Sequence, residues 1–187
     1  MSHTLIQDAL FTAKSSQELD RLARDQQGIA GTVLMKRAAR AALAELLDAF
    51  GTPSLLTVFC GSGNNGGDGY VLAALAAEKS IRVQCIELGA SLSKDAARAK
   101  QFAEQARVSF CQADSDFVLD QGVIVDSLLG TGYDGELRGP YAKAIALIND
   151  SGLPVLAMDI PSGLNCDTGA VASVAVKADM TLTFIAA

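Results

Sequence analysis

Residues 55–70 read Leu-Leu-Thr-Val-Phe-Cys-Gly-Ser-Gly-Asn-Asn-Gly-Gly-Asp-Gly-Tyr. Leu55 to Cys60 is a short apolar strand that runs directly into a glycine-rich loop, Gly61 to Gly69. A helical pattern follows from Tyr70 to Glu78, and Ile81 to Leu88 reads as the next strand. Strand, glycine turn, helix and strand in succession make a βαβ unit, which places two parallel strands side by side.

The alternation continues downstream. Ser93 caps a helix through about Gln105, and Val108 to Cys111 is strand-like. Val123 to Asp126 is a near-continuous apolar strand, and Pro140, at a first helical position, opens a helix to Asp150. Pro154 to Asp159 and Met180 to Ile185 are further strands. This order predicts one α/β domain: a doubly wound, mostly parallel sheet with helices on both faces.

Two helices are expected before the first strand. Ser15-Ser16-Gln17-Glu18 has the form of a capping box, predicting a helix from about Ser16 to Gln26. A second starts after Thr32, runs through Met35, Ala38, Ala42 and Leu46, and is ended by Gly51 and Pro53. Leu19, Leu22, Val33, Leu34 and Leu46 offer more apolar surface than one sheet edge needs, which suggests a symmetric dimer built partly from these helices.

Composition narrows the function. The chain has 187 residues, 50% of them hydrophobic and 19% charged, so it can bury a core and is not disordered. Its net charge of −6 disfavours nucleic acid and anionic membranes, both of which are held by Lys and Arg. No apolar run reaches the roughly 18 residues of a transmembrane helix, and Met1 to Ala13 lacks the basic start of a signal peptide. Cys60, Cys85, Cys111 and Cys166 lie far apart and His3 is the one histidine, an unsuitable set for Cys/His zinc. Cys60, Cys85 and Cys111 fall in or beside apolar strand patterns and are expected as small buried hydrophobes of a reduced cytoplasmic or organelle-matrix protein.

Ligands of open α/β sheets bind outside the carboxyl ends of the strands. Here Cys60, Asp126 and Asp159 lead into polar, glycine-rich loops, so these loops are expected to converge on one rim. The bland reading is that Asp126 and Asp159 only cap helices or turns. Gly61-x-Gly63-x-x-Gly66 satisfies a dinucleotide pattern, with Glu87 as the candidate ribose-binding acid. The loop runs on through Gly67-Asp68-Gly69, however, and no Tyr-x-x-x-Lys or histidine is present for hydride transfer.

Asp68, Asp126 and Asp159 on one rim would repel an anionic nucleotide, by about 4 kcal/mol for a pair about 4 Å apart at an effective dielectric near 20. A cation relieves that repulsion. The available donors are oxygens: the Asn65 amide, the Asp126 carboxylate, the Ser162 hydroxyl and loop carbonyls. Such donors suit alkali or alkaline-earth ions.

Cys60 to Val71 (CGSGNNGGDGYV), Val125 to Gly139 (VDSLLGTGYDGELRG) and Met158 to Gly169 (MDIPSGLNCDTG) closely resemble the YjeF N-terminal domain family of NAD(P)H-hydrate epimerases. Leu19 to Leu22 (LDRL) and Leu34-Met35 look like the family's N-terminal helices, and the similarity runs from about residue 11 to the end. The resemblance implies a Rossmann-like fold, often dimeric, that interconverts the R and S epimers at C6 of hydrated NADH and NADPH. It further implies that Asn64, Asn65, Gly66, Gly67 and Asp68 bind this small-molecule substrate. Gly130, Thr131, Gly132, Tyr133, Asp134, Gly135 and Glu136 would form a second substrate loop. Asp159 would touch the substrate as the catalytic acid/base, and Asn65, Asp126 and Ser162 would ligate potassium (K+).

The chain departs from the family pattern at Ser62, where Pro is common, and at Ala39, where Gly is common. It also ends at Ala187, where the family's domain usually continues, in many bacteria into a dehydratase domain. Residues 1–187 are therefore expected to form one such domain, shortened at its C-terminus and without the dehydratase. The alternative is a non-catalytic nucleotide-binding or scaffold module of the same fold, and an NAD-dependent oxidoreductase ranks third. Retention of Asn65, Asp126, Asp159 and Ser162 together favours the enzyme.

Overall fold

The computed structural model describes residues 12–27, 30–89, 91–113, 117–135, 137, 139–171 and 173–184. Helices α1 (Ala13–Gln27) and α2 (Gly31–Phe50) precede β1 (Leu56–Cys60), α3 (Asn64–Glu78) and β2 (Val83–Glu87). Then come α4 (Lys94–Gln105), β3 (Ser109–Gln112), β4 (Val123–Ser127), α5 (Pro140–Asp150), β5 (Val155–Met158) and β6 (Met180–Leu182). The strands form one sheet in the order β3-β2-β1-β4-β5-β6, and every neighbouring pair is parallel.

This order reverses between β1 and β4. From β1 the chain winds outward through β2 and β3, then crosses to β4 and winds the other way. Loops leaving β1 and β4 therefore diverge, opening a crevice at their carboxyl ends. The register there is direct: Phe59 pairs with Asp126 and Cys60 with Ser127.

Period-2 alternation sends Leu56, Val58 and Cys60 into one core and Phe59 into the other. The first core holds Met35, Ala39, Ala42, Leu43 and Leu46 of α2, the alanines of α3, and Ala99 and Ala103 of α4. The second holds Ala144, Ile145 and Ile148 of α5 against Phe59, Ile86 and Ile124. Helix α3 lies between α2 and the sheet, which is why Tyr70, Val71, Leu72, Ala73, Ala74 and Ala76 are all buried. Cys60 and Cys85 are free and buried, whereas Cys111 and Cys166 are partly exposed.

Several boundaries differ from the sequence expectation. Helix α1 begins at Ala13 because the reciprocal cap is Thr12 with Ser15. The Ser15 N–H donates to Thr12 Oγ1 at 3.2 Å, and the Thr12 N–H donates to Ser15 Oγ at 3.0 Å. Glu18 is left to pair with Arg21, at 2.6 Å. Helix α3 starts at Asn64, not Tyr70, so two-thirds of the glycine-rich stretch Gly61 to Gly69 is helix. Leu46 is fully buried in the monomer core and Val33 is 42% exposed, leaving less spare apolar surface than expected. β6 is described as strand only to Leu182, and Ile185 lies outside the described residues. Among the described residues, no helix is long and apolar enough to cross a membrane.

Candidate active site

The glycines after β1 permit contacts that no side chain would tolerate. A Cβ on Gly61 would lie 1.8 Å from Leu128 O, and one on Gly66 would lie 1.9 Å from Gly61 O. A Cβ on Gly67 would meet Met35 Cε at 2.7 Å. The first turn of α3 is thus pressed onto the ends of β1 and β4 and beneath α2. Gly66 and Gly67, expected to bind substrate, serve that packing and do not line the cleft.

Asn65 sits where this turn meets the sheet. Its Nδ2 donates to Leu129 O at 3.0 Å and to Met158 O at 3.2 Å, tying the ends of β4 and β5 together. Ser127 Oγ donates to the Asn65 carbonyl from below. The Asn65 Oδ1 is buried and accepts no hydrogen bond among the described residues. A buried acceptor without a donor is costly, so this atom invites a ligand.

Asp126 is fully buried beside it. Its carboxylate accepts from Ser162 N at 2.8 Å, Ser162 Oγ at 2.6 Å and Leu128 N at 3.2 Å. Burial pushes its pKa up to about 6, against the lowering effect of those donors. Ser162 Oγ also accepts from Leu129 N at 3.0 Å. Leu129 therefore links Asn65, through its carbonyl, to Ser162 and Asp126, through its N–H. The expected cation ligands form one connected cluster beneath the crevice.

Asp159 follows β5 with φ +69, a left-handed conformation that Asp tolerates better than most residues. The β6 side holds it there: Asp159 N donates to Leu182 O at 2.7 Å, and Thr183 Oγ1 donates to Asp159 O at 2.9 Å. The Thr131 N–H donates to Asp159 Oδ2 at 2.8 Å. Burial raises the Asp159 pKa, and its bonds from Thr131 oppose the rise. Asp159 thus stands at the rim as a partly desolvated carboxyl with one oxygen fixed.

These groups face a cleft of about 880 Å³. Asn64, Asn65, Asp68, Gly130, Thr131, Gly132, Tyr133 and Asp159 all line it, so the three polar loops do converge on one rim. Asp126 and Ser162 lie beneath its floor. Asp134 instead lines a neighbouring pocket of about 240 Å³ with Asn165, Cys166 and Asp167. Gly135 borders neither cavity, and Glu136 lies outside the described residues.

Glu87 is not a ribose ligand in this structure. One of its oxygens accepts from Tyr70 Oη at 2.8 Å and meets Lys100 Nζ at 2.6 Å, and the other accepts from Gln112 Nε2 at 2.9 Å. It is 8% exposed and anchors α3, α4 and β3. The sequence reading also missed one wall of the cleft, formed by Gly31, Leu34, Arg37, Ala38 and Ala41 of α2. The three- and four-residue spacing was visible, but only packing shows which face of α2 turns toward the crevice.

Comparison with known proteins agrees with this architecture. Residues 31–187 match the family described as YjeF-related protein N-terminus. The chain is 43% identical over 179 residues to the Bifunctional NAD(P)H-hydrate repair enzyme Nnr of Coxiella burnetii, covering 95% of this chain and 36% of that protein. It is 35% identical over 176 residues to the NAD(P)H-hydrate epimerase of Limosilactobacillus fermentum, covering 93% of this chain and 84% of the relative. It is 34% identical over 192 residues to the NAD(P)H-hydrate epimerase of Rhodopirellula baltica, covering 100% and 78%. The chain thus spans about a third of the bifunctional relative and most of each epimerase. The crystal structure of yeast ynu0 shares the fold, with a TM-score of 0.81 at 18% identity over 92% of this chain and 79% of that one. A parallel sheet that reverses at its glycine-rich crevice, and a match running from the start of α2 to Ala187, together place this chain in the YjeF-related protein N-terminus family.

Proposed function

We propose that this chain interconverts the R and S epimers at C6 of hydrated NADH and NADPH, the activity class that the names of its relatives describe. The observation that carries the reading is Asp159: a carboxyl with a raised pKa, one oxygen held by Thr131, facing a cleft of small-molecule size. A carboxyl of that kind can both give and take a proton near its working pH.

The C6 hydroxyl of the hydrate neighbours ring nitrogen N1, whose lone pair assists its departure. Asp159 protonates the leaving hydroxyl, then accepts a proton from the water that adds to the other face. In the alternative route, ring opening and reclosure, Asp159 instead takes the proton of the C6 hydroxyl as the C6–N1 bond breaks to an aldehyde with N1 protonated. It returns that proton to the oxygen on reclosure from the other face. Asn64, Asp68 and the Thr131–Tyr133 segment form the walls that hold the substrate against it.

Asn65, Asp126 and Ser162 suit a hard monovalent cation. The fit rests on the unpartnered Asn65 Oδ1 next to a fully buried carboxylate, with hydroxyl and carbonyl oxygens around them. Potassium held there would supply positive charge against the acidic floor and the anionic substrate. A homodimer is the expected assembly, and a monomer mass in light scattering at micromolar concentration would overturn it. A dehydratase acting on the same hydrate is the expected companion activity, consistent with the name of the bifunctional relative.

The deciding experiment is incubation with an epimer-enriched hydrate of NADH, followed by chromatographic separation of the epimers. Equilibration faster than the spontaneous rate supports the reading, and an unchanged rate removes it.

A further inference from the structure

We propose that Arg37, on α2, is the phosphate-binding residue of this cleft, positioning the dinucleotide through its diphosphate or its 2′-phosphate. The proposal rests on the epimerase reading above. Arg37 borders the stripe Leu34, Ala38 and Ala41 that walls the cleft. The carboxylates lining the same cleft are Asp68, Asp95 and Asp159, and among the described lining residues Arg37 is the sole Lys or Arg.

Two neighbouring cations, Lys36 and Arg98, are committed elsewhere. Lys36 stacks over the Phe102 ring, 4.7 Å from its centroid. Asp95 meets Arg98 at 3.7 Å, and Arg37 forms no ion pair among the described residues. The guanidinium is therefore available to a ligand.

The diphosphate bridge of a dinucleotide is anionic, and NADPH adds a 2′-phosphate. Carboxylates on the same cleft oppose both groups, and Arg37 is the lining cation among the described residues that can answer them. Arginine's planar fork matches two phosphate oxygens at once and stays charged at any working pH. With the nicotinamide ring held at Asp159 by the chemistry, the rest of the dinucleotide is left to meet α2, and its phosphates are the groups an arginine there would bind. Diphosphate and 2′-phosphate share this chemistry, and the substrates themselves separate them.

The test compares wild type, Arg37→Ala and Arg37→Lys on NADH hydrate and NADPH hydrate, with kcat and KM measured separately. Calorimetry with ADP-ribose, which carries the diphosphate and no nicotinamide ring, and with 2′-phospho-ADP-ribose, which adds the 2′-phosphate, gives a readout independent of turnover. Arg37→Ala should raise KM about tenfold or more while kcat changes less than about twofold, and Arg37→Lys should restore part of the loss. Affinity for 2′-phospho-ADP-ribose should fall in parallel, and affinity for ADP-ribose should fall with it where the diphosphate is the group held. An equal rise for both hydrates assigns Arg37 to the diphosphate, and a rise larger for NADPH hydrate assigns it to the 2′-phosphate. Unchanged KM for both hydrates overturns the proposal, as does affinity for both fragments that is absent in wild type or unaltered in Arg37→Ala. If wild type does not epimerise, the reading of the reaction fails, and the two fragment titrations still decide the role of Arg37.

Discussion

Gly130 is the floor on which Asp159 and Asn65 meet: a Cβ placed on it would lie 2.8 Å from Asp159 Oδ2 and 3.2 Å from Asn65 Cβ. The proposed acid/base and the amide linking β4 to β5 come together because this position carries no side chain. Gly130→Ala should therefore displace the Asp159 carboxylate from Thr131 while the strands beneath keep their pairing. Epimerisation should drop by about 100-fold, the scale of a misplaced catalytic group, with circular dichroism unchanged. Wild-type rates in Gly130→Ala would show that the close approach is irrelevant to chemistry.

Asp159→Asn keeps size and polarity but cannot exchange a proton. The expected result is a fall in kcat of about 100-fold or more with KM nearly unchanged. In the parent chain, activity that needs the protonated acid should decline as pH rises through the Asp159 pKa. Burial puts that pKa above the ordinary 3.8, so the limb should lie above this pH and vanish in Asp159→Asn. A limb that persists in the variant assigns it to another group.

Asp126 makes a pH prediction for stability. Its folded pKa of about 6 exceeds the ordinary 3.8, so the folded state binds more protons than the unfolded state between those values. Stability without a cation should then fall as pH rises across this window, by about 3 kcal/mol from this group. Melting temperatures in tetramethylammonium buffer should show the decline, potassium should flatten it, and Asp126→Asn should reduce it. Identical curves in the two salts would argue against the proposed ligand set.

The Glu87 anchor gives a contrasting expectation. Tyr70→Phe removes the donor to a nearly buried carboxylate that Lys100 and Gln112 still hold. A stability loss of about 1–2 kcal/mol in denaturant titration is expected, with KM for either hydrate unaltered. A large KM change would return Glu87 and its partners to the substrate site.

Much of this was legible in the residues alone. Leu55 to Cys60 against Tyr70 to Glu78 shows the change from period 2 to helical spacing, and local patterns of that kind suffice for strand and helix identity. The convergence of the Cys60, Asp126 and Asp159 loops followed from parallel strands, whose carboxyl ends must share one rim. What sequence could not reveal depends on neighbours distant along the chain. Gly66, Gly67 and Gly69 look like turn residues, yet they lie inside α3 because Gly61, Met35 and Ser127 press against them. Glu87 looks available until Tyr70, Lys100 and Gln112 fold onto it. Nothing near Arg37 in sequence announces a cleft; its exposure to the substrate side was decided when the small residues of α3 let Met35 seat α2 beside the crevice. Local spacing determined which elements form, and close packing of backbone on backbone decided which side chains share the site.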